Sequence, residues 1–470
     1  MKGTLLSGID YLVIILYNAI LIGLGIYLAK KKVKNAADFT KASQSLGTWT
    51  IAGSLISTCM GASILFSNYQ LVHSTGIGGL MTLIFWYLGW VILIFLIGKM
   101  RATGAGSIPE FISMKFGSKA QKIAAWSVVI VGLSTCAAQF KSFGAMTEAL
   151  GICTPNVGIL IGAAIIVLFT FFSGMWGSAV TNSIQSIFIL IVCVAVVPLT
   201  AAKAAGGVST AMSNINPEQL SMSGAFSMTP IMFFSYMVGY VLNVACEPSY
   251  SKYSLAAKDS KSAVAGQAIA CVVCLVVTFV AATPSLWIGQ IFPDMTDGSL
   301  FVPRLIATFM PAGIRGVLIA IILSLLVTTG NSFLLLLTSS ITDDVIRPMN
   351  PDMRDRKLLN INRIIIACGA LLIAVLAIVI PDIVTAFKIG GNAFGPVVAI
   401  PVLLGFFWKG LNSKAVTWAM IIGCASSILL DILFIVLGQG AIGNIYACAI
   451  SLAICVFGSL VENKKEAAKA

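Results

Sequence analysis

The sequence predicts an all-α polytopic membrane protein. Three observations carry that prediction. The mean hydropathy is +0.99. Only 10% of residues are charged, against 58% hydrophobic. The apolar residues fall in long continuous runs. A soluble domain carries close to a quarter charged residues, so a chain of 470 residues this poor in charge cannot present a polar surface to water on all sides. A helix crosses the hydrocarbon with ~20 apolar residues and satisfies its own backbone in doing so. Runs that are continuous rather than alternating select helices over barrel strands.

Thirteen such spans can be read in order. The first, 9–29, is preceded by Lys2 and followed by Lys30, Lys31, Lys32 and Lys34. A cleaved signal peptide carries its positive charge before the apolar core, so this is an uncleaved span with its N-terminus outside. The next five are 48–72, 78–99, 121–148, 156–174 and 179–200. A small-residue and polar connection, 201–228, leads to 229–247 and 260–289, and a second, 290–311, leads to 312–342. The series closes with 361–380, 385–408, 413–437 and 441–461, before a charged cytoplasmic stub.

The basic residues test this count through the positive-inside rule. Of the 29 Lys and Arg, 23 lie in or beside connections that the thirteen-span topology places on one side. Adding or losing one span would scramble that split. The formal charge of +12 is therefore a topology signal, and nucleic-acid binding is not needed to explain it. The expected location is a bacterial inner membrane, with the C-terminus cytoplasmic. No soluble domain is visible, so the expectation is one membrane domain: an extra helix and basic loop (1–47), two halves (48–200 and 201–410), and two final helices (411–470). Nothing in the pattern requires an oligomer.

Most of the eleven cysteines lie inside apolar runs and read as small packing residues. His73 is the single histidine, which leaves little for metal or acid–base catalysis. An enzyme is not expected.

Several spans carry polar, glycine-containing interruptions. The second contains Ser57-Thr58-Cys59-Met60-Gly61-Ala62-Ser63, the seventh contains Gly239 and Asn243 and ends at Glu247-Pro248, and the ninth contains Thr328-Thr329-Gly330-Asn331-Ser332. Interrupted segments at corresponding positions of two halves point to a secondary transporter built from inverted repeats. Spans 2–6 and 7–11 make two five-helix units of opposite orientation, in which spans 2 and 7 correspond. Topology puts Met60 and Thr328 near the bilayer midplane. Adjacent hydroxyls with carbonyls freed by a helix break could replace the hydration shell of a hard cation. The same residues could equally serve as packing contacts between helices.

Six segments resemble the sodium:solute symporter family, in the family's order and over essentially the whole chain. They are SLISTCMGAS (54–63), IPEFISMKFGS (108–118), FTFFSGMWGSAVTNSIQ (169–185), YSKYSLAAKDSKSA (250–263), TSSITDDV (338–345) and GPVVAIPVLLGFFWK (395–409). The resemblance implies the leucine-transporter-like fold of five plus five helices, alternating access and Na+ as coupling ion. Its sodium site falls on backbone oxygens of Ser57, Met60 and Leu325 and on the hydroxyls of Thr328 and Thr329. Two positions depart from the family pattern. Asn182 stands where the family often has an Asp that serves an additional sodium or its exit path, and Cys59 stands where some members have a polar or acidic group.

The resemblance also places a solute between spans 2, 4, 7, 8 and 11. The candidates there are Cys59, Ser63, Gln139, Tyr240, Asn243 and Asn392. Lys141 and Lys388 are charges within spans, where ionisable groups are functional candidates by default; the alternative is that they snorkel. Two lysines, together with the lack of sugar-type groups, suggest a small carboxylate such as an amino acid or monocarboxylate. Proton coupling or sodium-independent transport on the same fold is the alternative. It is disfavoured because the proposed midplane site offers no carboxylate or histidine.

Overall fold

A computed structural model describes residues 5–61, 63–221, 230–380, 383, 390–391, 394–437 and 442–468, without the side chains of Ser63, Met232 and Ile435. Among these residues nine helices are long and apolar enough to cross a membrane, or ten if one bent pair counts as a single span. The thirteen expected spans do not each appear as a separate helix of that length. The fifth and sixth form one helical run, Pro155–Ala204, of 50 residues. At 1.5 Å per residue such a run would extend ~75 Å, far beyond the ~30 Å hydrocarbon. Gly174 divides it, at φ +54° and ψ −165°. A side chain at this position would have to adopt the left-handed region and would also meet the Phe39 ring. The seventh span is shorter than expected, a helix of 16 residues, Pro230–Ala245. The eleventh is described mainly by its second part, Gly395–Phe407.

The helices sort by burial. In Ile314–Met349, 94% of the most apolar stretch is buried, and in Ser118–Ala149, 78%. The same figure is 17% for Gly8–Lys32 and 28% for Ser413–Phe434. The first two form the centre of the bundle, and the terminal helices face lipid with residues such as Ile15, Ile20 and Leu429. The N-terminal helix is nevertheless fastened to the centre. Asp10 accepts Arg315 Nε at 2.9 Å and the backbone N–H groups of Gly313 and Gly316 at 2.8 and 3.0 Å. Arg315, at the start of the ninth span, thus has a buried carboxylate as its partner.

The second span is broken. Thr48–Cys59 ends at Met60, whose ψ of 38° leaves the helix, and Ile64–Met81 continues at an angle of 43°. The seventh is broken too. Pro230–Ala245 stops, and a separate helix, Pro248–Leu255, begins behind Glu247 as N-cap. Every residue of Pro248–Leu255 is buried, so this segment, expected as an inner loop, is part of the packed bundle. Two connections are tied to each other as well: Leu46 N–H donates to Ala256 O and Lys258 N–H to Leu46 O.

Candidate functional site

The break in the second span lies against the polar stretch of the ninth. Ending a helix frees the carbonyls of its last turn. Of these, Ser57 O accepts the Thr329 hydroxyl at 3.3 Å. Ser57 Oγ donates to Thr328 Oγ1 at 3.1 Å, and Thr328 Oγ1 donates to Leu325 O at 3.0 Å. Ser57, Met60, Leu325, Thr328 and Thr329 are all buried. Gly61 permits the approach: a Cβ there would stand 2.7 Å from Thr329 Oγ1 and 3.0 Å from Gln139 Oε1. Of the five residues assigned to sodium by resemblance, Ser57, Leu325, Thr328 and Thr329 are joined by these hydroxyl and carbonyl oxygens, the ligand type that hard cations take, and Met60 is buried at the end of the broken helix.

One turn further along Ile314–Ser339 lies a second polar cluster. Thr58 Oγ1 and Ser332 Oγ are 3.1 Å apart, and Tyr253 OH is 2.8 Å from Ser332 Oγ. The Asn182 amide donates to Tyr253 OH at 3.1 Å and to Ser332 Oγ at 3.2 Å. A carboxylate in that place could only accept from these hydroxyls, whereas the amide donates to both; the amide oxygen has no partner among the described residues.

Above the breaks opens a cavity of about 290 Å³. Cys59, Gln139, Tyr240 and Asn243, four of the solute candidates, line this cavity, and Thr329 contributes to its floor. Lys141 is not brought to it. Its ammonium donates to the carbonyls of Ile380 (2.7 Å) and Ala377 (3.4 Å), capping the C-terminal end of Asp355–Val379. Lys388 and Asn392 lie outside the described residues, as does the side chain of Ser63. Asp431, also within a span, accepts the Gly443 N–H at 2.8 Å and serves the turn between the last two helices.

Sequence reasoning missed Glu247. The notion that no carboxylate stands at depth holds for the threonine site but not for the cavity, because Glu247 lines it. The signal was available: an acidic residue directly before the proline of an interrupted span. Trp86 and Tyr250 were also missed. They line the cavity, with Trp86 edge-on to both Tyr240 and Tyr250 at centroid distances of 5.8 and 6.4 Å.

Away from this cavity a second set of charged and polar groups cross-links the bundle. Lys41 pairs with Glu110 at 2.9 Å, Lys252 Nζ donates to Ser339 Oγ at 3.0 Å, and Ser107 Oγ donates to Asp344 Oδ1 at 2.6 Å. Burial pushes the Glu110 carboxyl up, but the Lys41 ammonium and the Gly106 N–H outweigh it and hold the group below its ordinary value.

The sequence profile of the sodium:solute symporter family matches residues 39–423. The chain is similar to the sodium/pantothenate symporter of Escherichia coli, with 23% identity over 87% of this chain and 88% of the relative. It is also similar to the sodium/proline symporter of Staphylococcus aureus, with 25% identity over 88% of this chain and 84% of the relative. The sodium/glucose cotransporter of Vibrio parahaemolyticus is 24% identical over 90% of this chain and 84% of its own length. Among solved structures, a Na+-coupled sialic acid symporter in a substrate-bound outward-open state superimposes with a TM-score of 0.81, covering 97% of this chain and 98% of that one at 16% identity. The likeness establishes the fold.

Proposed function

Because this chain belongs to the sodium:solute symporter family, we propose that it is a secondary active symporter that imports a small organic solute together with sodium by alternating access. Sodium is the coupling ion of the family. One observation carries the reading for this chain: the freed last turn of Thr48–Cys59 faces the Thr328–Thr329 pair, with Ser57 Oγ 3.1 Å from Thr328 Oγ1, at the floor of a cavity sized for a small solute.

In this reading the Thr328 and Thr329 hydroxyls and the carbonyls of Ser57, Met60 and Leu325 turn from one another to the ion. Sodium then draws the broken second span onto the ninth. Since Thr329 and Gly61 also line the cavity, ion binding shapes the solute pocket from below. The cavity is lined from Thr329 up to Ser235 and Asn444, which the charge topology puts toward the outside, while the Lys41–Glu110 end is shut. That combination is an outward-facing state. Return of the repeats 48–200 and 201–410 past one another delivers both cargoes inward. The N-terminus is outside and the C-terminus inside, by the distribution of basic residues.

One sodium suffices energetically. A potential of 100 mV supplies ~2.3 kcal/mol per charge and a tenfold gradient about 1.4 kcal/mol. Their sum supports a neutral solute gradient on the order of 500-fold. Transport into proteoliposomes, driven by sodium and then by potassium, tests the assignment. Uptake by the T328A/T329A double variant should lose its sodium stimulation, and undiminished stimulation would remove these hydroxyls from the site.

A further inference from the structure

We propose that Glu247 selects the solute, and that the solute carries a positively charged amine which sits on this carboxylate among Trp86, Tyr240 and Tyr250. The inference rests on the transport reading above and names the chemical class of its cargo.

Glu247 is the one formally charged side chain among the described residues that line the cavity; no Lys, Arg or His is among them. Both of its hydrogen bonds fall on one oxygen: Oε1 accepts the Ser249 N–H at 3.3 Å and the Ser249 hydroxyl at 2.9 Å. Oε2 has no partner among the described residues, and Glu247 forms no ion pair with any of them. The residue is only 9% exposed. A buried carboxylate without a counter-charge is costly, and a cationic ligand removes that cost.

The surroundings specify the kind of cation. Trp86, Tyr240 and Tyr250 line the same cavity, and their rings stand edge to face around Trp86. Aromatic faces beside a carboxylate favour an ammonium, which the ring quadrupole attracts and the carboxylate neutralises. An anionic solute would instead face a carboxyl group with no described cation to answer it. Lys141, the base first considered for a solute carboxylate, is occupied by carbonyls elsewhere.

A cap role for Glu247 on Pro248–Leu255 is separable from this one. In E247Q the amide oxygen still accepts from Ser249, while the charge is gone; E247D keeps the charge. The experiment measures thermal stabilisation of the purified full-length protein and of both variants, in sodium and in potassium. The probes are matched pairs that differ in the amine: choline against 3,3-dimethylbutanol and alanine against lactate, with glucose as a neutral polyol.

The expected result is that sodium alone stabilises all three proteins, and that in sodium an amine stabilises the wild type more than its amine-free match. E247Q should then bind that amine roughly ten- to a hundredfold more weakly, the scale of a hydrogen bond to a charged group, with E247D falling between. Equal stabilisation by both members of every pair, or stabilisation by lactate or glucose alone, overturns the proposal while leaving the transport reading intact. Amine binding unchanged in E247Q overturns it too. Loss of the sodium effect in E247Q would assign Glu247 to the ion. Absence of any sodium effect on the wild type would instead strike at the transport reading itself.

Discussion

Thr329 gives its hydroxyl hydrogen to the carbonyl of Ser57 across 3.3 Å, joining helices whose contacting residues are 272 positions apart in the chain. That contact can form because no side chain stands at Gly61, where a Cβ would lie 2.7 Å from Thr329 Oγ1. G61A should therefore force the two spans apart at a cost of about 1–3 kcal/mol. The half-maximal sodium concentration for uptake should rise roughly five- to a hundredfold. A sodium titration of uptake checks this, and an unchanged midpoint would mean that the Ser57–Thr329 contact lies off the ion path.

Asn182 predicts stoichiometry. Its amide donates to two hydroxyls and brings no negative charge to the second polar cluster. Sodium activation of uptake should be hyperbolic, with a Hill coefficient of about 1. N182D converts the donor into an acceptor with charge, and the same titration should become steeper. A steep curve in the wild type would count against a single coupled ion.

The Asp10–Arg315 pair should matter for stability rather than transport. Asp10 has no exposed surface and holds both a guanidinium and three backbone N–H groups, those of Ser7, Gly313 and Gly316. Removing one partner leaves the other charged and unpaired, so D10A should cost roughly 2–4 kcal/mol in thermal or denaturant unfolding. D10A/R315A should cost less than the sum of the two single variants. Strict additivity would show that the two residues do not depend on each other.

At the closed end, Glu110 is held below its ordinary carboxyl value of 4.5, and Lys41 is held above 10.5: burial lowers it, but the surrounding carboxylates, Asp343 foremost, outweigh that effect. A depressed carboxyl contributes its stabilisation above the ordinary carboxyl range and loses it as pH falls through the depressed value. A raised ammonium contributes below its ordinary value and loses it as pH rises through the raised one. The Lys41–Glu110 closure should therefore hold across neutral pH and fail at both extremes. E110Q should remove the acid-side dependence and favour opening of this end. Alkylation of a cysteine introduced at Ser43 reports it: faster labelling in E110Q at neutral pH is expected, and equal rates would show that the pair does not hold the end shut.

Much of this was written in the chain itself. Hydropathy and the placement of basic residues determined a helical membrane protein and the approximate bounds of its spans, because the bilayer imposes length and backbone satisfaction on each segment separately. The break at Ser57–Ser63 and the polar stretch Thr328–Ser332 were legible for the same reason, since polar and glycine residues stand out against an apolar background; of the two, only the first interrupts a helix, and Ile314–Ser339 runs unbroken through the second. Three-dimensional packing decided what each polar group faces. Lys141 looked like a solute ligand until the bundle set it over the carbonyls of Ala377 and Ile380. Pro248–Leu255 read as a loop, because two of its polar residues, Lys252 and Tyr253, find their partners, Ser339 and Ser332, on a helix far away in sequence. Glu247 read as a span end, and only the meeting of Trp86, Tyr240 and Tyr250 around the same cavity made it the one charge there among the described residues. Hydropathy is a property of each segment alone, whereas the partner of a buried charge is a property of the whole bundle.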